Sequence, residues 1–301
     1  MVNERVDEVK SATVLRFNDL WKLNFEANLP KIRQSLGVQN LKNKFKNFPS
    51  IIVGAGPSLD KNIQHLARIQ EKAIIVAGDA ALKPLLSHGI IPPLVVCLDP
   101  QEDIKDFFTG VSHEGMTLIV PTIIHPKVLD VWEGKVVFFN KFAPDIPLLT
   151  EIQNVLPTLG VLTPGGTVLS IAYDLAFQSG ANPIIFIGQD LSYENKVVYA
   201  RGGEVSSQNW KTLCRRQPEN IVYETDIRGK KILTLKSMSV TKKWFHWAFT
   251  SWKRDTRLTV YNCSEGGILT DHCQWLSFRE AIYKFCNKKI NTAWILKKAL
   301  K

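Results

Sequence analysis

The sequence predicts an α/β fold of three layers, in which helices cover both faces of a mostly parallel sheet. Short runs of apolar, often β-branched residues alternate with segments whose apolar residues recur every three or four positions. The runs are apolar at successive positions, which is typical of parallel strands buried between two layers of helices. Glycines and polar residues follow several runs directly, as expected where ligands bind at the carboxyl ends of strands.

Seven apolar runs are predicted as strands. In chain order they cover residues 51–53, 73–77, 94–98, 117–120, 136–139, 184–187 and 258–261. Helical patterns lie between them, for example after Ser58, where Leu59, Ile63 and Leu66 fall on one face. We expect residues 1–48 to form an amphipathic helical segment that leads into the sheet. Residues 286–301 contain lysines and no acidic residue, and we expect a basic C-terminal tail there.

The composition is that of a globular protein with an excess of basic residues. The 301 residues carry a net charge of +10, which favours an anionic partner such as a nucleotide or a sugar acid. The five cysteines show no CxxC pattern and the N-terminus has no apolar signal core, so we expect a cytoplasmic protein with reduced thiols. No stretch approaches the ~18 apolar residues of a membrane span.

Residues 242–257 mix aromatic and basic side chains. Such a mixture is found in surfaces that bind nucleic acids or membranes. In a helix, however, the aromatic residues of this segment fall on both sides, which favours burial over a one-sided binding face. We therefore expect no specific nucleic-acid partner.

A glycine-rich turn follows the first predicted strand. Gly54-Ala55-Gly56-Pro57-Ser58 stands between the apolar run 51–53 and a helical pattern. In this arrangement of strand, tight turn and helix, the backbone N–H groups and the positive end of the helix dipole point to one place, which suits a phosphate. The turn is similar to the start of a Rossmann dinucleotide fingerprint, but Leu59 replaces the third glycine and the P-loop lysine is absent.

Other predicted strand ends place polar residues at the same edge of the sheet. Asp79 follows the second strand and suits either a ribose hydroxyl or a helix cap. Asp99 and Asp190 follow two later strands. If both carboxylates face one crevice, they can hold Mg²⁺ on a pyrophosphate. Alternatively, one of them can act as a general base. Further candidates for binding a ligand are Gln189, Glu265, and Gly165, Gly166 and Thr167 at a second helix start.

The combined motifs resemble a domain shared by two protein families. They comprise residues 54–62, Leu98-Asp99-Pro100, Gly165-Gly166-Thr167-Val168, Gly188-Gln189-Asp190-Leu191 and residues 262–267. One family is the motility-associated-factor (Maf) glycosyltransferases, which decorate flagellin with nonulosonic acids. The other is the archaeal 6-hydroxymethylpterin diphosphokinase-like proteins. The resemblance covers residues 35–285 and implies a Rossmann-like nucleotide-binding domain at residues 49–285.

The Maf resemblance implies a glycosyltransferase with a CMP-linked nonulosonic donor and a protein acceptor such as flagellin. Maf proteins are in turn similar to bacterial sialyltransferases, whose Gly-Asn-Gly-Pro-Ser turn corresponds to residues 54–58. The Maf resemblance also implies that Gly54, Gly56 and Ser58 hold the nucleotide phosphate. Gly166 and Thr167 would hold the donor's phosphate or carboxylate, and Asp99 or Asp190 would orient the nucleotide or act as base. The sialyltransferase histidine base has no counterpart between Asp190 and Lys242.

Two alternatives stay open. The second family implies an ATP-dependent transfer of pyrophosphate to a hydroxymethylpterin, which requires Mg²⁺ with Asp99 and Asp190 as ligands. The glycosyltransferase hypothesis carries no expectation of a metal. Because the histidine base is missing, a non-catalytic nucleotide- or glycan-binding protein is the third hypothesis.

Overall fold

The computed structural model describes residues 2–203, 210–216, 218–252 and 258–301. Across these residues runs a sheet of ten strands, and all of its strand pairs are parallel. Helices pack on both faces of the sheet, which makes three layers with the apolar core between them. The predicted α/β fold is confirmed.

The seven predicted runs all form strands, and the described residues contain five further strands that the runs did not predict. In chain order they are β1 (Leu36–Gly37), β2 (Ser50–Val53), β3 (Ile74–Gly78), β4 (Leu94–Val96), β5 (Thr117–Pro121), β6 (Lys135–Lys141), β7 (Val161–Leu162), β8 (Ile184–Ile187), β9 (Ile221–Thr225), β10 (Lys231–Leu235), β11 (Val260–Asn262) and β12 (Gln274–Trp275). Each predicted strand is confirmed, with ends shifted by no more than two residues, and the strands that the runs did not predict are β1, β7, β9, β10 and β12. β9 and β10 form a separate antiparallel pair.

The helices connect these strands. They are α1 (Val2–Arg33), α2 (Leu59–Leu66), α3 (Leu82–Ser87), α4 (Pro126–Val131), α5 (Pro147–Val155), α6 (Val168–Gln178), α7 (Trp210–Arg216), α8 (Lys236–Ser251), α9 (Phe278–Phe285) and α10 (Thr292–Ala299). Local chemistry fixes several ends: α9 begins with a capping box of Ser277 and Glu280, and α3 stops before Gly89 at φ +67°. Over the described ranges, none of the helices combines the length and the apolar character that crossing a membrane requires.

The direction in which successive strands are added to the sheet reverses at β2, in the centre of the sheet. The order is β1-β6-β5-β4-β3-β2-β8-β11-β12, with β7 paired to β6. From β2 the chain builds outward through β3 to β6, and it then returns to place β8 on the free side of β2. The loops that follow β2 and β8 therefore leave the sheet in different directions and open a crevice between them.

The central strands are buried on both faces. Ile52 and Phe186 point into a core cluster that includes α6, whereas Ile51, Val53 and Ile185 point into a cluster on the opposite face. This is the alternation expected of a pleated strand between two helical layers. The double burial fixes the strands firmly and so fixes the residues at their carboxyl ends.

The two ends of the chain contribute more to the main body than their sequences predict. Within the first 48 residues the chain forms α1 (Val2–Arg33), and Leu36–Gly37 then pairs with β6 as a strand. Residues 286–301, expected to be a basic tail, contain α10. Leu296 and Leu300 are buried against the core because they recur four residues apart on one face, while the lysines lie on the other side.

The aromatic residues of α8 are largely buried, as their two-sided distribution predicts. Phe245 is inaccessible to solvent and packs against Tyr173 and Phe186, and Trp252 stacks on Tyr173. Trp247 is the exception, with about half of its surface exposed. Residues 253–257 of the predicted segment lie outside the described residues.

Candidate functional site

A cavity of about 160 Å³ lies at the carboxyl ends of β2, β3 and β8, at the point where the strand order reverses. Its walls are the glycine turn after β2, Asp79 after β3, the start of α6 and the turn after β8. Residues 191–199 cover it. Of the predicted site residues, the lining includes Gly54, Ala55, Gly56, Asp79, Thr167, Gln189 and Asp190.

The N–H groups of the glycine turn already have partners within the chain. Gly54 N–H donates to the Ile187 carbonyl and Gly56 N–H to the Gly188 carbonyl, both at 2.9 Å. The Asp190 carboxylate accepts the Ser58 N–H at 2.8 Å and also the Ser58 hydroxyl. A buried carboxylate of the protein thus stands at the start of α2, where the sequence predicts a ligand phosphate.

The glycines of this turn are required by the contact between two loops. A Cβ on Gly56 would lie 2.6 Å from Asp190 Cγ, and a Cβ on Gly54 would lie 2.4 Å from the Gly188 carbonyl oxygen. Gly188 itself has a φ of +65°. Close approach of the turns after β2 and β8 therefore explains the glycines without any phosphate. Ala55 lines the cavity, and Pro57 carries the chain from it into α2.

The start of α6 offers the cavity a better place for an anion. Thr167 is the N-cap residue of this eleven-residue helix, and Thr167, Val168 and Leu169 line the cavity. The first N–H groups of a helix lack partners within the helix, and the dipole there is positive. Gly165 and Gly166 permit this placement because a Cβ on either would collide with Trp244 or Thr241 of α8.

Three buried polar atoms of the cavity have no hydrogen-bond partner within the described part of the chain. They are Thr167 Oγ1, Gln189 Nε2 and Ser192 Oγ. Gln189 and Ser192 are each 4% exposed, and Gln189 is held by its own N–H, which donates to Ser264 Oγ at 2.8 Å. Because buried polar groups are rarely left unpaired, these atoms indicate where a ligand or ordered water binds. Ser192 was not predicted from the sequence.

Asp79 is one of the two carboxyl groups that line the cavity. It is 8% exposed, and one oxygen accepts the Ala80 N–H at 2.8 Å. The alternative role as a helix cap is not met, because Gly78 is the cap residue of the short 3₁₀ helix that begins at Asp79. Burial raises the pKa of its carboxyl group from 3.8 to about 6, and the nearby charge of Asp99 adds to the shift. A carboxylate with a pKa near neutrality is suited to accept a proton in a reaction.

Asp99 and Asp190 do not share a crevice. β4 precedes Asp99 and β8 precedes Asp190, and β2 and β3 lie between these strands. Three strand spacings amount to about 14 Å. Asp99 instead accepts hydrogen bonds from the backbone and side chain of Gln101, at 3.0 and 3.1 Å, and it lies outside the cavity lining. Burial raises the pKa of both carboxyl groups.

The two aspartates therefore do not fit the Mg²⁺ site that the sequence suggested. Both oxygens of Asp190 are occupied by Ser58, and Asp99 lies at a different strand end. Among the residues with described placement, no group of three or more His, Cys, Asp or Glu side chains is arranged to hold a metal ion.

Glu265 lies in a neighbouring groove of about 400 Å³ rather than in the cavity. Its carbonyl oxygen accepts hydrogen bonds from Lys61 at 3.0 Å and from Arg228 at 2.6 Å, while its side chain faces solvent. Trp275 on the edge strand β12 lines the same groove. The backbone at Glu265 therefore ties the β11 loop to α2, and its carboxylate is separate from the cavity.

Two tyrosines cover the cavity, and sequence patterns did not assign them to it. Tyr193 and Tyr199 both line it, and burial raises the pKa of each phenol, so both remain protonated at physiological pH. The covering segment is fastened to the glycine turn because Ala200 N–H donates to the Ala55 carbonyl at 2.8 Å. It is also held where Arg201 N–H donates to Asp60 at 3.1 Å.

Comparison with known proteins gives a family and partial relatives. The sequence model of the family described as 6-hydroxymethylpterin diphosphokinase MptE-like matches residues 23–196. An uncharacterized protein of Treponema pallidum (strain Nichols) is 28% identical over 212 residues, which cover 69% of this chain and 37% of the relative. A second uncharacterized protein of the same strain is 31% identical over 87 residues, 29% of this chain and 40% of the relative. The chain thus spans well under half of these relatives.

A solved structure shares the fold. It is described as the structure of MAf glycosyltransferase from Magnetospirillum magneticum AMB-1, and it matches with a TM-score of 0.61 and 20% sequence identity. The match covers 88% of this chain and 38% of that chain. The likeness extends over nearly all of the chain, so its three-layer architecture is that of a known glycosyltransferase's domain.

Proposed function

The chain belongs to the 6-hydroxymethylpterin diphosphokinase MptE-like family, and from this premise we propose that it is a glycosyltransferase that uses a CMP-linked nonulosonic donor. The observation that carries the proposal is the chemistry of the cavity at the β2–β8 crevice. Its donors are uncharged, namely the start of α6 with Thr167, the Gln189 amide and the Ser192 hydroxyl. The shared architecture with a Maf glycosyltransferase supports it at the level of fold.

The charge of the cavity favours a ligand with few negative charges. Its lining, drawn from the described residues, contains two carboxylates, Asp79 and Asp190, and no lysine or arginine. A helix N-terminus supplies roughly half a positive charge, which matches the single negative charge of a phosphodiester. A CMP-linked sugar has one such phosphodiester, whereas ATP carries a dense charge that is normally met by cations.

The proposed reaction makes one bond and breaks one. A hydroxyl oxygen of the acceptor attacks the anomeric carbon of the donor sugar, and the bond from that carbon to the phosphate oxygen of CMP breaks. The hydroxyl proton passes to Asp79, whose pKa of about 6 leaves it mostly ionised at neutral pH and able to accept the proton. Asp79 thus takes the role that the resemblance implied for Asp99 or Asp190.

Charge develops on the leaving phosphate during this reaction. The phosphodiester has one negative charge, and the released CMP gains a second. The start of α6 and the Thr167 hydroxyl lie where they would stabilise that second charge, so their interaction is stronger in the transition state than with the bound donor. The cavity is smaller than the ~300–1,000 Å³ of typical ligand pockets, so we infer that the covering residues 191–199 move outward when the donor binds.

Pyrophosphate transfer from ATP to a hydroxymethylpterin is the second candidate, because the family description names that activity. The reaction needs Mg²⁺ to neutralise the transferred group. The aspartates proposed as its ligands do not converge, and the cavity lining lacks a basic side chain that would take the metal's place. For these reasons we rank it below the sugar transfer.

A thermal-shift comparison of CMP, CDP, ATP and GTP, each with MgCl₂ and with EDTA, separates the two candidates. We expect CMP to raise the melting temperature equally with and without metal. A shift with ATP that requires Mg²⁺, and none with CMP, would transfer the proposal to the diphosphokinase.

Turnover is then measured as CMP release from CMP-N-acetylneuraminic acid. We expect Asp79→Asn to lose activity by at least a hundredfold while still binding CMP, because the amide cannot take up the proton. Asp130→Asn, on the exposed side of α4, is the matched control and should retain full activity. If the unaltered protein binds CMP but shows no turnover with a range of hydroxyl acceptors, the hypothesis of a non-catalytic binding protein is favoured.

A further inference from the structure

A second polar compartment lies beneath α1, at the carboxyl ends of β4, β5 and β6. Helix α1 crosses these strand ends and is fastened to the loops by two buried amides. Asn24 donates to the carbonyls of Pro100 and Ile123, both at 3.0 Å. Asn28 donates to Ile124 at 2.7 Å. We call the cluster of Trp21, Thr122, Asn140 and Lys141 the α1 compartment, because Lys141 contacts the Trp21 ring and follows Asn140 at the end of β6.

The α1 compartment contains buried polar atoms that the described residues leave unpaired. They are Trp21 Nε1, Thr122 Oγ1 and Asn140 Oδ1, on side chains that are each 1% exposed or less. Thr122 and Asn140 are neighbours on adjacent strands, because Thr122 N–H donates to the Phe139 carbonyl at 3.0 Å. Leaving one such atom unpaired costs about 1–3 kcal/mol, so three together indicate a bound partner.

Lys141 adds a positive charge to this compartment. Its ammonium lies 4.6 Å from the centre of the Trp21 ring. Within the described ranges it has no carboxylate oxygen at ion-pair distance, and Asp99 acts on it only from further away. Burial lowers the pKa of Lys141 to about 8. A desolvated cation without a paired anion is unfavourable, so an anionic ligand would stabilise it.

We propose that the α1 compartment is a ligand site for a small hydroxylated carboxylic acid, in which Lys141, the Trp21 indole N–H and the Thr122 hydroxyl bind the carboxylate. One cation near the acidic Asp99 suits a single negative charge better than the double charge of a phosphate monoester. The unpaired Asn140 oxygen accepts a hydrogen bond from a hydroxyl group of the ligand. Lys141 retains partial exposure, which gives the acid a route from solvent.

This site is separate from the cavity of the proposed transfer reaction but lies next to it. Burial and the charges of Asp79, Asp99 and Asp103 together raise the pKa of Tyr199, so its phenol lies among the carboxylates of both sites. Asp79 lines the cavity, whereas Asp99 belongs to the strand end that borders the α1 compartment. The proposal needs no nucleotide and does not depend on the transfer chemistry.

Calorimetric titration with D-glycerate tests the site. We expect glycerate to bind the full chain in the millimolar range or tighter, and propionate and inorganic phosphate to bind at least fivefold more weakly. Lys141→Met and Thr122→Val should each weaken glycerate binding, the first by at least tenfold. Lys289→Met is the matched control, because that lysine is exposed and pairs with the exposed Glu71. This variant should bind glycerate as the unaltered chain does.

The pH dependence gives a second measurement. The charged groups that face Lys141 are Asp99 and, around Asp99, Asp103 and Arg16. Because Lys141 loses its proton around pH 8, glycerate affinity should fall as the pH rises through 8, and Lys141→Met should lack this fall. The proposal is overturned if glycerate does not bind at 10 mM, or if it binds Lys141→Met as well as it binds the unaltered chain.

Discussion

Replacing Asp79 by asparagine should stabilise the fold, although it removes the proposed base. Burial raises the pKa of this carboxyl group from 3.8 to about 6, so the folded protein holds the proton more tightly than the unfolded chain does. The stabilisation due to the protonated form is complete below about pH 4 and is lost as the pH rises through 6. At pH 8 the ionised carboxylate therefore works against folding.

The size of this effect follows from the shift. About two pH units at ~1.4 kcal/mol each give about 3 kcal/mol at pH 8, and the same linkage gives roughly half of that at pH 5. Asparagine keeps the side-chain oxygen that accepts the Ala80 N–H, so the substitution removes the charge without removing the hydrogen bond.

Urea unfolding at pH 8 and pH 5 measures the difference between Asp79→Asn and the unaltered chain. We expect the variant to be more stable by up to about 3 kcal/mol at pH 8 and by about half as much at pH 5. Asp130→Asn on the exposed side of α4 should change stability by less than about 0.5 kcal/mol at either pH. An Asp79→Asn protein that is less stable at pH 8, or equally stabilised at both pH values, would refute the reasoning.

Three further substitutions probe the crevice. Asp190→Ala leaves the Ser58 N–H and hydroxyl without acceptors, and we expect it to lower the free energy of unfolding by about 2–4 kcal/mol in urea; a loss below 0.5 kcal/mol would contradict the pairing. Gly56→Ala brings a methyl group to 2.6 Å from Asp190 Cγ and should cost more than ~2 kcal/mol. Gly229→Ala, with no atom within 4 Å, should cost only the ~1 kcal/mol of its positive φ, and equal losses for the two glycines would argue against close packing of the turns. Thr167→Val should weaken CMP binding about tenfold in calorimetry with little change in melting temperature, and unchanged affinity would place the phosphate elsewhere.

Local patterns predicted the fold well because its signals are local. Six of the seven predicted strands are apolar runs followed directly by glycine or a polar residue, the exception being 117–120 before Pro121, and Gly54 and Gly188 mark the ends of the two central strands. The two-residue strands β1, β7 and β12 were missed, since so few residues show no periodicity, and the five-residue strands of the separate β9–β10 pair were missed as well. α10 was missed for a different reason, because Leu296 is the only large apolar residue among its buried positions and Lys297 and Lys298 follow it directly.

The site was predicted less well because it depends on pairings between distant residues. Nothing near Ser58 indicates that its N–H is taken by a residue 132 positions away. The separation of Asp99 from Asp190 follows from the order of strands, which apolar runs do not specify. The similarity to sialyltransferases and the proposed donor stay predictions, and Asp79 stands out as a base only once its burial is known.

The position of β8 beside β2 also sets the order in which the chain can mature. Residues 50–53 and their neighbour strand 184–187 leave the ribosome far apart in time, and β3 to β6 are available long before β8. Until residue 187 has emerged, β2 is an edge strand with unpaired backbone groups and an apolar surface on each face. Nascent chains that are halted before this residue should therefore depend on chaperones, and the crevice should be the last part of the sheet to form.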